Sequence, residues 1–423
     1  MPKDKLVTVI DVGSCKVATI IASITEERVS VIGVSTVLSK GIRKGVVVDI
    51  DSAVEAIAES LEKSQRMSGF PVSSAFVTVN GSHIESINSH GVVAVSHQDS
   101  EITEDDIKRV TDAAQAVSLP SSREMIHVIP RDFIVDGQEG VHDPLGMSGV
   151  RLEVETNLIH GSSPAIKNLA KCVIQVGVSV EDFVFSSYAS SYSVLTDTEK
   201  ELGTILLDIG GGTASLIIFC GGSPCYSSVL PVGGQNITND LAIGLRASLD
   251  VAEKIKLKLG KEDEIIKRTA FPTNEEESVQ ISRNELDVSE FNLDASTISR
   301  KLLYDIMKER MRELFTLVAL EVKKANYTGK LPAGIVLTGG GSLTYNIIPI
   351  AKEVLKMPAR IAKPRGVTGL IDEIEGPAYS AAIGTLIFGA KQIKTQGRQL
   401  SPRGNLVPGF IKGAFGWVKS FLP

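Results

Sequence analysis

A short sequence occurs twice in this chain, and the repetition limits the folds that the chain can adopt. The stretches IDVGSCKVATII at 10–21 and LDIGGGTASLII at 207–218 start 197 residues apart. Each is an apolar strand with an aspartate near its end, then a turn that contains glycine, then a second apolar strand. Glycine permits left-handed backbone conformations and close approach of a ligand, and successive amides in a tight turn form an anion-binding concavity. Two copies indicate two related halves that face each other across a nucleotide.

The aspartates and glycines of the repeat are the first candidate site residues. Gly13 lies in the first turn, and Gly210–Gly212 form the second. Asp11 and Asp208 close the strands that precede these turns, and such an aspartate can hold a divalent cation, directly or through water, beside bound phosphates. Elsewhere, short Val/Ile-rich runs alternate with helical patterns, which predicts an α/β architecture.

A third glycine-rich turn follows the strand in GIVLTGGGSL at 334–343, and a helical pattern comes after it. Such a turn suits close passage of the backbone against a base or ribose. On the helix predicted at 250–260, Glu253 and Lys256 are three residues apart and share a face. They could reach ribose hydroxyls or form an ordinary surface ion pair, and the sequence leaves both open. The sequence contains neither the dinucleotide pattern G-x-G-x-x-G in register nor the phosphate-binding pattern G-x-x-x-x-G-K-[ST].

The composition narrows the class of protein. A chain of 423 residues with 43% hydrophobic residues suggests two or more domains. The net charge of −6 argues against a dedicated nucleic-acid binder. Four cysteines without metal-binding spacing favour a reduced, cytoplasmic protein, and the N-terminus shows no export signal.

The C-terminal segment differs from the rest of the chain. Residues 391–423 contain six basic side chains and no acidic one. Wound as a helix, residues 406–422 place nearly all large apolar side chains on one half of the cylinder, with Trp417 near the boundary, while Lys412, Lys419 and Ser420 fall on the other. The segment is shorter than the roughly 20 residues that span a bilayer. It therefore predicts a helix lying in the membrane interface, with docking on its own domain as the alternative.

Together these features resemble the FtsA family, bacterial division proteins within the actin, heat-shock chaperone and sugar kinase superfamily. The resemblance extends over essentially the whole chain. It is carried by the nucleotide-binding turns, by the amphipathic tail, and by GIRKGVVVDI at 41–50, EGVHDPLGMSGVRLEVE at 139–155 and ASSYSVLTDTEKELG at 189–203. It implies an α/β, actin-like two-lobed ATPase fold with an inserted small α/β domain and a C-terminal amphipathic helix.

The resemblance also implies a domain layout. About eighty residues before Ser163 show a plan of their own, with strands predicted at 92–96, 123–135 and 150–159 and a capped helix at 103–117. The implied domains are lobe 1 at 1–81, 163–202 and, as a closing helix, 369–390; the insertion for self-association and partner docking at 82–162; the lobe 2 core at 203–230 and 311–368; an outer subdomain that binds the FtsZ tail at 231–310; a flexible basic linker at 391–404; and the membrane helix at 405–423.

The resemblance implies ATP with Mg²⁺ as ligands, with the metal near Asp11 and Asp208. The implied nucleotide site comprises Gly13, Ser14, Cys15, Lys16, Gly210, Gly211, Gly212, Thr213, Gly233, Gly234, Glu253, Lys256, Gly339, Gly340, Gly341 and Ser342. The implied membrane contacts are Phe410, Ile411, Phe415, Trp417, Val418, Phe421 and Leu422.

The implied partners are the C-terminal peptide of FtsZ, further copies of the chain in a filament, membrane-embedded division proteins and an anionic membrane surface, without nucleic acid. Arg300 and Lys301 are the predicted FtsZ contacts, because a tail with acidic groups needs cationic partners; both could equally be solvated. The implied location is the cytoplasmic side of the bacterial inner membrane at the division septum.

Catalysis is expected to be weak. Hydrolysis requires a group that orients the attacking water, and the connecting stretch FSSYASSYSV at 185–194 has no carboxylate or carboxamide. The nucleotide would then act as a structural ligand. The alternatives are a pilus-assembly ATP-binding protein of related fold, against which the tail and the SGVRLEVE stretch count, and a small-molecule kinase, which would have no use for the tail.

Overall fold

The computed structural model describes residues 5–25, 28–96, 101–269, 284–291 and 293–396, with the backbone alone at 263–269 and 395–396. The predicted membrane helix at 405–423 lies outside the described residues, as does the predicted linker from 397 onward. Within the described ranges, none of the helices has the length and apolarity needed to cross a membrane.

Strands and helices alternate along the chain, as the sequence predicts. The strands are β1 (Lys5–Val12), β2 (Lys16–Ile24), β3 (Val29–Leu38), β4 (Ile42–Arg43), β5 (Val46–Val47), β6 (Ser74–Val79), β7 (Glu85–Ala94), β8 (Arg123–Val135), β9 (Gln138–Val141), β10 (Arg151–Ser162), β11 (Ser179–Phe185), β12 (Thr204–Ile209), β13 (Ala214–Cys220), β14 (Ser223–Leu230), β15 (Glu285–Asp287), β16 (Thr297–Ser299), β17 (Ile335–Thr338), β18 (Ala359–Ile361) and β19 (Thr368–Gly369). The helices are α1 (Ile50–Ser68), α2 (Glu104–Gln115), α3 (Ser163–Gln175), α4 (Ser186–Val194), α5 (Asp197–Leu202), α6 (Gly234–Leu245), α7 (Leu249–Thr269), α8 (Arg300–Lys324), α9 (Ile347–Leu355) and α10 (Ser380–Gln396).

The sequence repeat is a repeat of topology. One sheet contains the strand order β11-β6-β1-β2-β3, and the other contains β18-β17-β12-β13-β14. In each, three consecutive strands form an antiparallel meander, and the first strand also pairs in parallel with a strand from later in the chain. The central strands are almost continuously apolar, and β12 is buried at every position, as expected of a strand covered on both faces. Each lobe has a hydrophobic core of its own.

The insertion has a separate small core and joins the second lobe. Its strands follow the order β7-β10-β8-β9, and α2 packs on β7 and β10 around Ile107, Val110 and Leu152. Thr103 caps α2 in a capping box with Asp106, as predicted. The structure corrects the strand predicted at 92–96. This strand, β7, begins seven residues earlier, at Glu85, because its first residues pair with β10 and with β14 of lobe 2. The insertion therefore continues the sheet of lobe 2, although the chain enters it from lobe 1.

The closing helix α10 corrects two predicted boundaries. It begins at Ser380 instead of 369, after a short strand and a 3₁₀ turn at Pro377–Tyr379, and it continues to Gln396 instead of ending at 390. Leu386, Phe388 and Ile393 are buried against lobe 1. Because apolar contacts continue to Ile393, the first residues of the predicted flexible linker belong to this helix.

Asp182 in β11 links stability to pH at this helix. Gln392 donates to its Oδ2 at 3.4 Å and the Phe183 amide donates to its Oδ1 at 2.8 Å, but burial dominates and raises the pKa of Asp182 to about 7 from 3.8. The folded state thus holds the proton more strongly than the unfolded state. The contribution of this carboxyl to stability therefore falls as the pH rises between these two values.

We expect Asp182→Asn to change stability little at pH 4 and to raise the free energy of unfolding at pH 8 by about 1 kcal/mol or more, since one pKa unit corresponds to about 1.4 kcal/mol. Denaturant midpoints at the two pH values measure this. Asp197→Asn, at a fully exposed side chain on α5, is the control. An equal change at both pH values would contradict the assigned burial effect.

Candidate functional site

The first turn of the repeat connects β1 and β2. The Gly13 amide donates to the carbonyl of Lys16 at 2.9 Å and closes the turn. Asp11 accepts a hydrogen bond from Thr78 Oγ1, and Thr78 lies on β6, which pairs with β1. Burial raises the pKa of the Asp11 carboxyl, against the opposing effects of Lys16 and Thr78. The turn thus presents its backbone beside a carboxylate that its own lobe orients.

The second turn connects β12 and β13 with the same geometry. The Gly210 amide donates to the carbonyl of Thr213 at 2.8 Å. Asp208 accepts from Ser190 Oγ at 2.8 Å. Burial raises the pKa of Asp208 to about 7, and the nearby charge of Asp11 adds to the shift. The two carboxyls therefore lie close enough to interact, one from each lobe.

The two turns touch. A Cβ added at Gly211 would lie 2.1 Å from Cys15 Sγ, and one added at Gly212 would lie 2.9 Å from Ser14 Oγ. The predicted phosphate-binding residues of the two lobes are therefore brought together at one place.

Lys16 is the cation at this junction. Its ammonium is buried and has no hydrogen-bond acceptor among the residues that the structure describes, and it lies over the ring of Tyr379 at 3.0 Å from the centroid. Burial lowers the pKa of Lys16 to about 8, although Asp11 and Asp208 both act to raise it. A buried donor without an acceptor carries a desolvation cost, which an anionic oxygen would relieve. This residue fits a phosphate ligand.

Asp11 and Asp208 fit a magnesium ion. The described part of the chain holds no group of three or more histidine, cysteine or carboxylate side chains that could form a metal site unaided. Mg²⁺ typically uses one or two protein carboxylates and takes its other ligands from phosphates and water. Two carboxyls beside a phosphate-binding turn match that requirement.

The remaining predicted residues adjoin the second turn. The amides of Gly234 and Gln235, at the start of α6, donate to the carbonyls of Gly210 and Gly211 at 2.9 and 2.8 Å. Gly233 lies against the second turn, because a Cβ there would be 2.5 Å from the Gly211 carbonyl oxygen. A Cβ at the next residue, Gly234, would lie 3.7 Å from Gly341 Cα and 3.9 Å from Lys256 Nζ. The third glycine turn and α7 thus meet the second turn at α6.

Glu253 and Lys256 are engaged with each other in this structure. Lys256 Nζ donates to Glu253 Oε2 and to Thr238 Oγ1, both at 2.7 Å, and to the Gly234 carbonyl at 3.3 Å. Thr238 in turn donates to Glu253. The structure thus shows the ion pair, which lies beside Gly234 at the start of α6, and the predicted contact with ribose stays a prediction.

The third turn is closely fitted to the end of β12. Gly339 has a left-handed φ of 79°, and a Cβ there would lie 2.3 Å from Asp208 Oδ1 and 2.5 Å from the Ile209 carbonyl. Gly340 has no such conflict, because its nearest neighbour is Ala378 Cβ at 3.6 Å. Ser342 is buried, and its hydroxyl donates to the Gly339 carbonyl at 2.7 Å, so it stabilises the turn itself.

We expect Gly339→Ala to lower the free energy of unfolding by about 2 kcal/mol, from left-handed backbone strain and overpacking. Gly340→Ala in the same turn is the matched control and is expected to change it by less than about 0.5 kcal/mol. Chemical denaturation of both variants measures the difference. Equal midpoints for the two would contradict the close packing of this turn on Asp208.

Some residues that form hydrogen bonds between the two lobes at this site are absent from the sequence-based prediction. Asn80 follows β6 of lobe 1; its Nδ2 donates to Thr213 Oγ1 at 3.2 Å, and its Oδ1 accepts from Ser215 Oγ at 2.8 Å, both on lobe 2. Ser190 and Thr78 were likewise not predicted. A signal existed for Asn80 and Thr78, because they lie at the carboxyl end of a strand parallel to β1, where ligand sites form.

The two predicted FtsZ contacts differ in exposure. Lys301 is exposed at the start of α8. Arg300 is only 5% exposed; it forms an ion pair with Glu262 of α7, and its Nε donates to the Glu285 carbonyl at 3.3 Å. The prediction for Arg300 as a surface contact is therefore corrected: this side chain joins α7, β15 and α8.

Sequence comparison with known proteins finds similarity to FtsA cell division proteins. The profile of the SHS2 domain inserted in FtsA matches residues 81–160, and that of cell division protein FtsA matches residues 205–384. FtsA of Pseudomonas aeruginosa is 38% identical over 402 residues, which are 95% of this chain and 93% of that protein.

Solved structures share the fold. The PilM–PilN type IV pilus biogenesis complex matches with a TM-score of 0.63 at 14% identity, covering 92% of this chain and 98% of the other. MreB5 of Spiroplasma citri bound to ADP matches with a TM-score of 0.53 at 15% identity, covering 93% and 99%. The predicted actin-like two-lobed fold with an inserted small α/β domain is confirmed. Through its identity to FtsA proteins along nearly the whole of both chains, this chain belongs to the FtsA family of cell division proteins.

Proposed function

We propose that the chain is an ATP-binding filament protein that anchors the FtsZ ring to the inner face of the cytoplasmic membrane and helps to recruit later division proteins. The observation that carries the nucleotide part is the buried ammonium of Lys16, which interacts electrostatically with both Asp11 and Asp208 where the two turns of the repeat meet. A nucleotide bound there contacts both lobes at once. Its binding energy therefore favours the closed arrangement of the lobes.

The residues of the site have separate roles in this proposal. Backbone amides of the two turns and the ammonium of Lys16 bind the phosphates, and Asp11 and Asp208 hold Mg²⁺, directly or through water. The metal supplies positive charge that neutralises the phosphate oxygens. Thr78 and Ser190 orient the two carboxyls by the hydrogen bonds already described.

The side chains that α4 places beside this site lead us to expect only weak hydrolysis of ATP. The hydroxyl of Ser187 donates to the Ser215 carbonyl at 3.1 Å, and that of Ser190 donates to Asp208. Both hydroxyls are engaged in the protein, and 185–194 contains no carboxylate or carboxamide. The nucleotide then acts mainly as a structural ligand that stabilises closure and filament contacts.

The FtsZ tail is proposed to bind beside the start of α8. Lys301 is exposed there, next to the half-exposed Leu302. One turn further, Ile306 reaches Gly244 at the end of α6, beside the largely exposed Ile243. A cation beside exposed apolar side chains suits a peptide with acidic and apolar groups. We propose that this surface belongs to the outer subdomain at 231–310.

We expect Lys301→Glu to weaken binding of an FtsZ C-terminal peptide about tenfold, through loss of one attractive charge and gain of a repulsive one. Lys323→Glu, at the far end of the same helix, is the matched control and should leave the affinity unchanged. Fluorescence anisotropy of a labelled peptide measures both. Equal affinities for the Lys301→Glu and wild-type proteins would remove this surface from the proposal.

Calorimetry and phosphate release together test the nucleotide part. The full chain is expected to bind ATP more tightly with Mg²⁺ than with a chelator, and to release phosphate well below the ~1–100 s⁻¹ typical of kinases. No detectable ATP binding would contradict the proposal. Turnover at kinase-like rates by contaminant-free protein would contradict the structural role of the nucleotide.

A further inference from the structure

Residues 42–47, within the stretch 41–50, form a hairpin of the two short strands β4 and β5. Strands β4 and β5 pair through Ile42 with Val47 and Arg43 with Val46, so Lys44 and Gly45 are the two turn residues. Both have left-handed φ angles, 50° and 75°. Two such residues between paired strands form the type I′ turn, in which asparagine or glycine is preferred at the first position. Here that position is a lysine.

The tip of this hairpin lies against both phosphate-binding turns. The Gly45 amide donates to Ser14 Oγ of the first turn at 3.0 Å. On the second turn, a Cβ at Gly212 would lie 3.0 Å from Lys44 Cα and 3.1 Å from Lys44 N. A Cβ at Gly45 would lie 2.8 Å from the Gly81 amide nitrogen, just after Asn80. The tip therefore forms one wall of the junction between the lobes.

The hairpin tip contacts one end of the second turn, and this position indicates which phosphate of a bound nucleotide would lie nearest to the tip. The carbonyls of Gly210 and Gly211 bind the start of α6, next to Lys256 and the third glycine turn. Gly212, at the other end of the turn, contacts the hairpin. A nucleotide whose nucleoside lies beside α6 and α7 therefore directs its phosphate chain toward Lys44.

The side chain of Lys44 is exposed at this point. A lysine ammonium on its flexible stem binds phosphate as a point charge. We propose that Lys44 binds the terminal phosphate of a nucleoside triphosphate held between the two turns, and so makes the site prefer triphosphate over diphosphate. This proposal rests on the nucleotide-binding function proposed above.

Lys44→Asn is the test variant. It creates Asn-Gly, the sequence that type I′ turns prefer, and it removes the cation while keeping the hairpin. Lys44→Arg keeps the charge. Lys40→Asn is the control, because Lys40 is an exposed lysine of the same region whose ammonium is paired with Glu55 at 3.2 Å. Thermal unfolding of each variant verifies the fold, and Lys44→Gly is a second charge-free variant that tolerates the left-handed turn.

Calorimetry with ATP and with ADP, both in the presence of Mg²⁺, measures the preference for triphosphate over diphosphate. We expect Lys44→Asn to weaken ATP binding about tenfold or more, the effect of losing one charge-assisted contact, while ADP binding changes less than about twofold. Lys44→Arg and Lys40→Asn should retain the wild-type preference. Equal losses for ATP and ADP, or no loss for either, would overturn the role of Lys44 while leaving nucleotide binding intact. Failure of the wild-type protein to bind either nucleotide would overturn both proposals.

Discussion

A Trp417→Glu protein is expected to bind anionic vesicles roughly thirtyfold more weakly than the wild type. Half burial of a large apolar side chain contributes about 1 kcal/mol, and a new negative charge near an anionic surface costs about 1 kcal/mol; 1.4 kcal/mol corresponds to a factor of ten. Seven large apolar side chains contribute about 7 kcal/mol gross on this scale, and ordering the segment removes several kcal/mol of it. The net attraction of one copy is therefore modest, and a loss of about 2 kcal/mol moves much of the protein off the membrane.

The same tail provides a control with equal charge. Ser420 falls on the polar half of the predicted helix, so Ser420→Glu should weaken vesicle binding only slightly. Flotation with anionic liposomes measures both proteins, and ATP and FtsZ-peptide affinities should be unchanged in each. Undiminished flotation of Trp417→Glu would show that the segment docks on the protein instead of the membrane.

An Asp208→Ala protein is expected to lose roughly a hundredfold in affinity for ATP in the presence of Mg²⁺. Removing even the supporting partner of a metal ligand typically costs ten- to a hundredfold, and Asp208 is proposed as a ligand itself. The fold should persist, because the carboxyl is buried and its raised pKa shows that the charged form is disfavoured there. Calorimetry with Mg²⁺ and with a chelator separates metal-dependent from metal-independent binding.

Asp208→Asn is the matched variant for this prediction. Its amide oxygen can still accept from Ser190, so it keeps the local packing and removes only the charge. We expect it to lose the Mg²⁺-dependent part of the affinity and to keep the binding that remains in chelator. Wild-type affinity in Mg²⁺ for either variant would contradict the metal role of Asp208.

The duplicated turns could be predicted because the elements that form them are local. Gly13 and Gly210 each close a turn onto a residue three positions later, so strand, turn and strand are visible in a short window of sequence. Asn80 and Ser190 could not be assigned in this way. Their partners, Thr213 and Asp208, come from the other lobe and lie 133 and 18 residues away. Such contacts depend on how the lobes are placed together.

Two predictions failed for the same physical reason. Arg300 resembles a surface cation in the sequence, but Glu262 and the Glu285 carbonyl, both distant along the chain, hold it below the surface. The predicted end of α10 at 390 follows the change to a basic composition, whereas Ile393 still packs on lobe 1. In both cases tertiary contacts decide what local composition does not.

Recruitment of FtsZ to membranes is the one measurement that tests the nucleotide site, the α8 surface and the tail together. Purified FtsZ is mixed with anionic liposomes, this protein and Mg²⁺, with ATP or with a chelator, and the floating fraction is assayed for FtsZ. We predict that FtsZ floats with wild-type protein and ATP, and that Trp417→Glu, Lys301→Glu or Asp208→Ala each reduce the floating fraction severalfold. FtsZ that floats equally with the three variants, or that stays at the bottom with the wild type, would contradict the proposal that this chain anchors the FtsZ ring to the membrane.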